Sequence, residues 1–306
     1  MNEPSPYQVF EHGGEVIKRE TLRTSMSDGA WLTSYRYSNI NCEHDHQFPL
    51  LCLPDELGRA KDHHRLALSL LALKDQPAFI HTLSLRGRGT SDATNVANTS
   101  VLDDADDLIS FFDARDLHHC NMVVNGRAIY VLLLALIKRP GLVKRVILND
   151  AAPEFDTVAI ARETALNQRS NAPDTWEEAI DIMRERKSNS FTTFSDDDWE
   201  HAASIRWLDV DGKPATTNDP KLVRFSNAAD YDEPQPRLWR EFKLLSEISV
   251  LLMRGENSDL VTQEISDKMS IENPKLKTKI AKGQGHVPAL YIGDLPQHLS
   301  DFLSNE

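Results

Sequence analysis

From Asn121 to Pro140 the chain reads NMVVNGRAIYVLLLALIKRP, a short apolar run that meets a glycine and is followed at once by a long apolar stretch. This is the pattern of a tight strand-to-helix turn, the kind written G-x-S-x-G, in which the turn exposes a nucleophilic serine at the end of a strand. The five positions are Val124, Asn125, Gly126, Arg127 and Ala128, so glycine stands where the serine belongs. Glycine has no side chain and attacks nothing. Loss of such a nucleophile costs on the order of a millionfold in turnover. Neither Cys120, which precedes the apolar run, nor Ser84, which precedes an Arg-Gly loop, is placed to replace it.

Other residues with chemical potential carry weaker patterns. His44-x-His46, His63-His64 and His118-His119 lack a carboxylate or cysteine partner at ligand spacing, so no metal site is expected. Arg86-Gly-Arg-Gly89 has no P-loop lysine and is not a phosphate cradle. The acidic runs Asp103-Asp104, Asp106-Asp107 and Asp196–Asp198 read as solvated faces or helix N-termini, where negative charge meets the positive end of the helix dipole. No calcium-loop spacing accompanies them.

The elements that would position these residues follow from periodicity. Residues 15–40 alternate as paired strands about a Ser27-Asp28-Gly29 turn. Phe48–Leu53, Ala78–Leu85, Met122–Val124 and Val143–Leu148 are short apolar runs of the type buried on both faces of a parallel sheet. Helical periodicity lies between them at His64–Leu73, Ser100–Phe112 and Arg127–Lys138. Strand and helix alternating at this spacing specify an α/β fold, a doubly wound and mostly parallel sheet. From Glu154 to about Arg240 the chain turns polar and helical, without a convincing buried strand. Strands at Ile248–Met253 and Leu276–Ala281 and helices at Thr262–Met269 and Asp294–Ser304 complete the pattern. The expected division is a first core part over 1–153, a helical cap or lid insertion over 154–240, and a second core part over 241–306.

With 34 basic against 47 acidic residues the net charge is −13, so nucleic acid and anionic membrane are poor partners. The longest uninterrupted apolar run, Ala128–Ile137, is too short to span a bilayer. Three cysteines without C-x-x-C spacing point to a reducing compartment, and the N-terminal residues do not read as a signal peptide, so the expected location is cytoplasmic.

Taken in order, these motifs resemble the α/β-hydrolase superfamily across essentially the whole chain, most of all small cap-bearing esterases, epoxide hydrolases and lactone cleavers. Ser27-Asp-Gly29 is similar to their first hairpin, and Leu53-Pro54 to the start of their oxyanion loop. Leu85–Asp92 is similar to the loop after their fourth strand. Met253–Asp259 resembles the turn bearing the catalytic acid, and Gly283-Gln-Gly-His286-Val-Pro288 the loop bearing the catalytic histidine. The resemblance implies Asp259 as acid and His286 as base, a dyad in which the carboxylate orients the imidazole. It also marks three departures. Gly126 replaces the nucleophile, Asp55-Glu56 stand where the oxyanion loop usually has glycine and an apolar residue, and Arg127 follows the lost nucleophile. Carboxylates beside an oxyanion site oppose its function unless neutralised, so Arg127 is expected to pair with Asp55 or Glu56. The reading is a pseudoenzyme that has lost serine-hydrolase activity. It would bind a small ligand in the pocket between core and cap, or a protein partner, and needs no cofactor. The alternative is an enzyme using the Asp259–His286 dyad as a general base without a covalent nucleophile, as a hydrolase, a lyase or a cofactor-free oxygenase.

Overall fold

The computed structural model describes residues 7–42, 48–93, 100–168, 172–215 and 236–304. The His44-x-His46 pair lies outside them. A nine-stranded sheet runs through the molecule in the order β1-β2-β3-β5-β4-β6-β7-β10-β11. Its first three strands, β1 (Tyr7–His12), β2 (Glu15–Ser25) and β3 (Trp31–Asn39), are antiparallel, and β3 also pairs antiparallel with β5 (Ile80–Ser84). From β5 onward the pairing is parallel through β4 (Leu50–Leu53), β6 (Cys120–Asn125), β7 (Val143–Asn149), β10 (Ser249–Gly255) and β11 (Lys277–Ala281). The sheet is therefore the doubly wound, mostly parallel one expected. The strand β1 is additional, since its exposed residues carry no core-facing pattern to betray it.

Strand periodicity sorts the core into two layers. Val123 and Ile147 face one side with Leu66 and Leu70 of α1 (His64–Leu71) and Leu299 and Phe302 of the C-terminal helix Leu295–Ser304. Their neighbours Val124 and Leu148 face the other side, against Leu108, Phe111 and Phe112 of α2 (Val101–Ala114) and Leu132 and Leu136 of α3 (Ile129–Lys138). Side chains alternating at period two are what allow central strands to be apolar throughout. Ser100 caps α2, accepting a hydrogen bond from the Asp103 N–H.

The acidic face expected on α2 is only partly solvated. Asp107 forms a two-point ion pair with Arg86, and Asp104 one with Arg88, all four side chains being buried. Arginine forks match carboxylates bidentately, and this makes the Arg-Gly loop after β5 a clamp on α2. Sequence periodicity missed it because the partners lie on a different element.

Between β7 and β10 the chain forms α4 (Thr157–Gln168), α5 (Trp176–Lys187), α6 (Asp196–Arg206) and a short hairpin of β8 (Leu208–Val210) and β9 (Lys213–Ala215). The hairpin departs from an all-helical insertion. Trp207, buried against Ala179 and Ala203, anchors a small apolar centre of its own there.

Candidate active site

The turn after β6 has the geometry its sequence implies. Gly126 follows the strand directly, in the left-handed region at φ +48°, and α3 begins three residues later. A Cβ at position 126 would lie 2.6 Å from Oδ1, 2.7 Å from Cγ and 2.9 Å from Oδ2 of Asp55. The Asp55 carboxylate thus occupies the space into which a side chain at the elbow would project.

Asp55 belongs to the turn after β4. Its Oδ1 accepts hydrogen bonds from the backbone N–H groups of Glu56 and Arg127, each at 2.8 Å. These are the two segments from which the resemblance draws its oxyanion donors. Its Oδ2 lies 3.5 Å from Nε2 of His286. Burial alone would raise the Asp55 carboxyl, but the imidazole hydrogen bond and charge, the Arg127 charge and the Glu56 N–H outweigh it and hold the group at about 2. Glu56 pairs with the Arg127 guanidinium, so the charges entering this corner compensate one another.

The expected partner of His286 is corrected by the structure. Nδ1 of His286 is 2.9 Å from Oδ2 of Asp150, whereas Asp259 is half-buried and pairs with Arg162 of α4. The reason is topological. Asp150 follows β7 directly with its side chain fully buried, and its carboxylate also accepts from the Gly255 N–H at 3.0 Å and the Ser258 hydroxyl at 2.5 Å. Asp259 lies further along the loop leaving β10, and Ser258 has already turned inward ahead of it. Glycine at 255 is required here, since a Cβ would stand 2.6 Å from the Gly285 carbonyl in the histidine loop. A carboxylate just past the C-terminal end of a buried parallel strand was the available signal for Asp150, in the Leu148-Asn-Asp150 run.

His286 therefore sits between two carboxylates. Burial would lower its pKa, but the hydrogen bonds and charges of Asp150 and Asp55 win and raise it to about 9. Both carboxylates favour the imidazolium form, in which Nε2 faces Asp55. Phe155 packs edge-to-face with the imidazole.

A cavity of about 440 Å³ opens from this corner beneath α4, α5 and α6. Asp55, Glu56, Asn125, Arg127 and His286 line one end, and Ile160, Met183, Phe191, Phe194, Trp199 and Leu260 form an apolar wall. A Glu163–Lys187 ion pair, 2.7 Å, also borders it. Of the residues singled out in the sequence, the structure gathers Gly126, Asp55, Glu56, Arg127 and His286 and leaves Asp259 outside. Among the described residues no group of three or more metal-ligating side chains converges, and no helix is long and apolar enough to cross a membrane.

The sheet order, the elbow and the histidine loop at the strand ends define an α/β-hydrolase fold. Solved structures agree. An α/β hydrolase from Novosphingobium aromaticivorans superposes with a TM-score of 0.80 at 23% identity, covering 93% of this chain and 98% of that one. E-2-(acetamidomethylene)succinate hydrolase gives 0.74 at 19% identity, over 94% and 100% of the two chains. The enol-lactonase from Burkholderia xenovorans gives 0.67 at 10%, over 93% and 100%. No protein-family model matches the chain. No curated protein matches it either.

Proposed function

We propose that the chain is a serine-independent enzyme of the hydrolase type, in which the Asp55 carboxylate takes the place of the lost nucleophile and His286, oriented by Asp150, serves as acid and base. The observation that carries this reading is the seat of Asp55: one oxygen on both backbone N–H donors, the other toward the imidazole and the cavity, in the volume vacated at Gly126. With Oδ1 in the oxyanion site, a substrate carbonyl has no place there, and acyl transfer is disfavoured. Attack by Oδ2 on a saturated carbon bearing an oxygen leaving group is compatible with that seat, the simplest such substrate being an epoxide on an apolar body.

In the first step a bond forms between Oδ2 and carbon while the ring C–O bond breaks. Its electron pair goes to the ring oxygen, which takes the Nε2 proton of His286. Proton transfer from a positioned histidine is worth roughly 10²–10⁴ in rate. Esterified Asp55 carries no charge, so His286 loses one of the two anions holding its proton and becomes a base. It deprotonates a water that adds to Cγ. The negative charge that develops on Oδ1 meets the Glu56 and Arg127 N–H groups, donors of a kind each worth roughly 10²–10³. Collapse breaks the Cγ–Oδ2 ester bond and expels the alcohol oxygen, which is protonated as the Asp55–His286 ion pair is restored. Epoxide plus water gives diol.

The test is a single turnover on styrene oxide and on long-chain alkyl epoxides in ¹⁸O-water. The diol should carry unlabelled oxygen while Asp55 acquires the label, and His286→Gln should accumulate alkylated Asp55 by mass. Label appearing in the product of the first turnover, or turnover by Asp55→Asn, would sink the proposal. A second reading, a ligand-binding scaffold without catalysis, draws support from the satisfied Asp55–His286–Asp150 pairing. It would be preferred if no electrophile modified Asp55 while apolar ligands still raised the melting temperature.

A further inference from the structure

The turn that carries Asp55 is suspended between core and cap. On the core side, Arg88 donates from Nε to the Glu56 carbonyl at 2.8 Å while its fork holds Asp104. The turn itself is tight: the Gly58 N–H donates to the Asp55 carbonyl at 2.7 Å, and a Cβ at Gly58 would lie 2.6 Å from Cβ of Pro54. Movement at its far end therefore reaches Asp55 with little slack.

That far end is Arg59, a buried cation. Its Nη2 donates to the carbonyls of Ser204, at 2.8 Å, and Ile205, at 2.7 Å, in the last turn of α6. The final four carbonyls of a helix have no partner within it, and a cation there also meets the negative end of the dipole. Asp62 holds the other side of the same guanidinium, 3.3 Å from Nε. The stem of Arg59 packs over Gly89, where a Cβ would sit 3.5 Å from Cγ of Arg59.

We infer that Arg59 is a positioning residue that makes the seating of Asp55 on its two N–H donors depend on the packing of α6 over the cavity. Closing the cap over a ligand then sets the carboxylate. An opened cap releases it. The functional meaning rests on the reading of Asp55 as the reacting group, but the coupling itself is structural and is tested separately.

The reporter is the His286 imidazole, whose titration senses how near Asp55 lies, followed by NMR of the full chain labelled at histidine. Asp55→Asn sets the value without the second anion. Arg59→Ala should lower the His286 pKa by at least about 1 toward that value, because an opposite charge that moves away no longer favours the cation. Arg59→Lys, which keeps a donor for the carbonyls, should recover at least half of the change. Trp207→Ala, which loosens the end of α6 and leaves Arg59 intact, should shift His286 in the same direction. Wild-type titration in both Trp207→Ala and Arg59→Ala, with the fold retained by circular dichroism, would overturn the coupling. Should Arg59→Ala fail to fold, Trp207→Ala and Arg59→Lys decide. A shifted His286 without any alkylation of Asp55 would uphold the coupling and count against the nucleophile alone.

Discussion

A carboxylate and a serine cannot share the corner beside the elbow. Gly126→Ser should therefore not produce an esterase. Its Cβ would meet Asp55 at 2.6 Å in a backbone conformation, φ +48°, that side chains rarely adopt. We expect a loss of roughly 1–3 kcal/mol, as for other overpacked sites, and no acyl-enzyme with p-nitrophenyl butyrate. Gly126→Ser combined with Asp55→Gly should do better in both respects; an active, fully stable single variant would refute this account. At the same scale, Asp55→Asn should lower the His286 pKa from about 9, since one of the two anions favouring the imidazolium is removed. An unchanged or higher value in a histidine NMR titration would mean that Asp55 does not face the ring.

The elements contribute by fixing where these side chains start. The loop after β5 binds α2 through Arg86 and Arg88, and Arg88 also fixes the Glu56 carbonyl. Truncating one partner of a buried ion pair strands the other charge, at a cost of roughly 3–5 kcal/mol. Arg88→Met should thus be strongly destabilising in urea denaturation, and Asp104→Leu in the same chain should restore most of the loss. If Arg88→Met alone is neutral, the clamp is dispensable. Just past the end of β7, the Asp150 carboxylate makes three hydrogen bonds at once, with Gly255, Ser258 and His286, so its position is set by two separate segments, the turn after β10 and the histidine loop.

For the whole molecule, the titrating groups set a window of stability. His286 is raised above its ordinary value, so its contribution is complete below about 6.5 and fades as pH climbs through about 9. Burial lowers His63 and His64 to about 4, with His64 further lowered by nearby cations, so these favour folding when neutral and lose that advantage as pH falls from 6.5 through about 4. Asp62, raised by burial to about 6, acts in the opposite sense and partly offsets the acid limb. Stability by thermal melting should peak near neutral to slightly acid pH, and Asp55→Asn should flatten the alkaline limb. A steeper alkaline limb in that variant would contradict the assigned sign.

Much of the architecture was legible in the chain because its causes are local. Apolar runs such as Phe48–Leu53 and Met122–Val124 are of the kind buried on both faces, helical stripes must pack on them, and glycine permits the sharp turn at 126. Gly126, Asp55, Glu56, Arg127 and His286 were marked by residue type and motif order. What only the tertiary structure decided were the partners: Asp150 and not Asp259 beside His286, Asp55 on the backbone N–H groups of Glu56 and Arg127, Glu56 rather than Asp55 as the expected carboxylate on the Arg127 guanidinium, and two buried aspartates on a helix face that had read as solvated. Most of these join segments far apart in the chain, and the choice between Asp150 and Asp259 depends on which strand end faces the imidazole. Periodicity reports which way a side chain points from its own element; what it meets there is settled when the sheet closes and the elements pack.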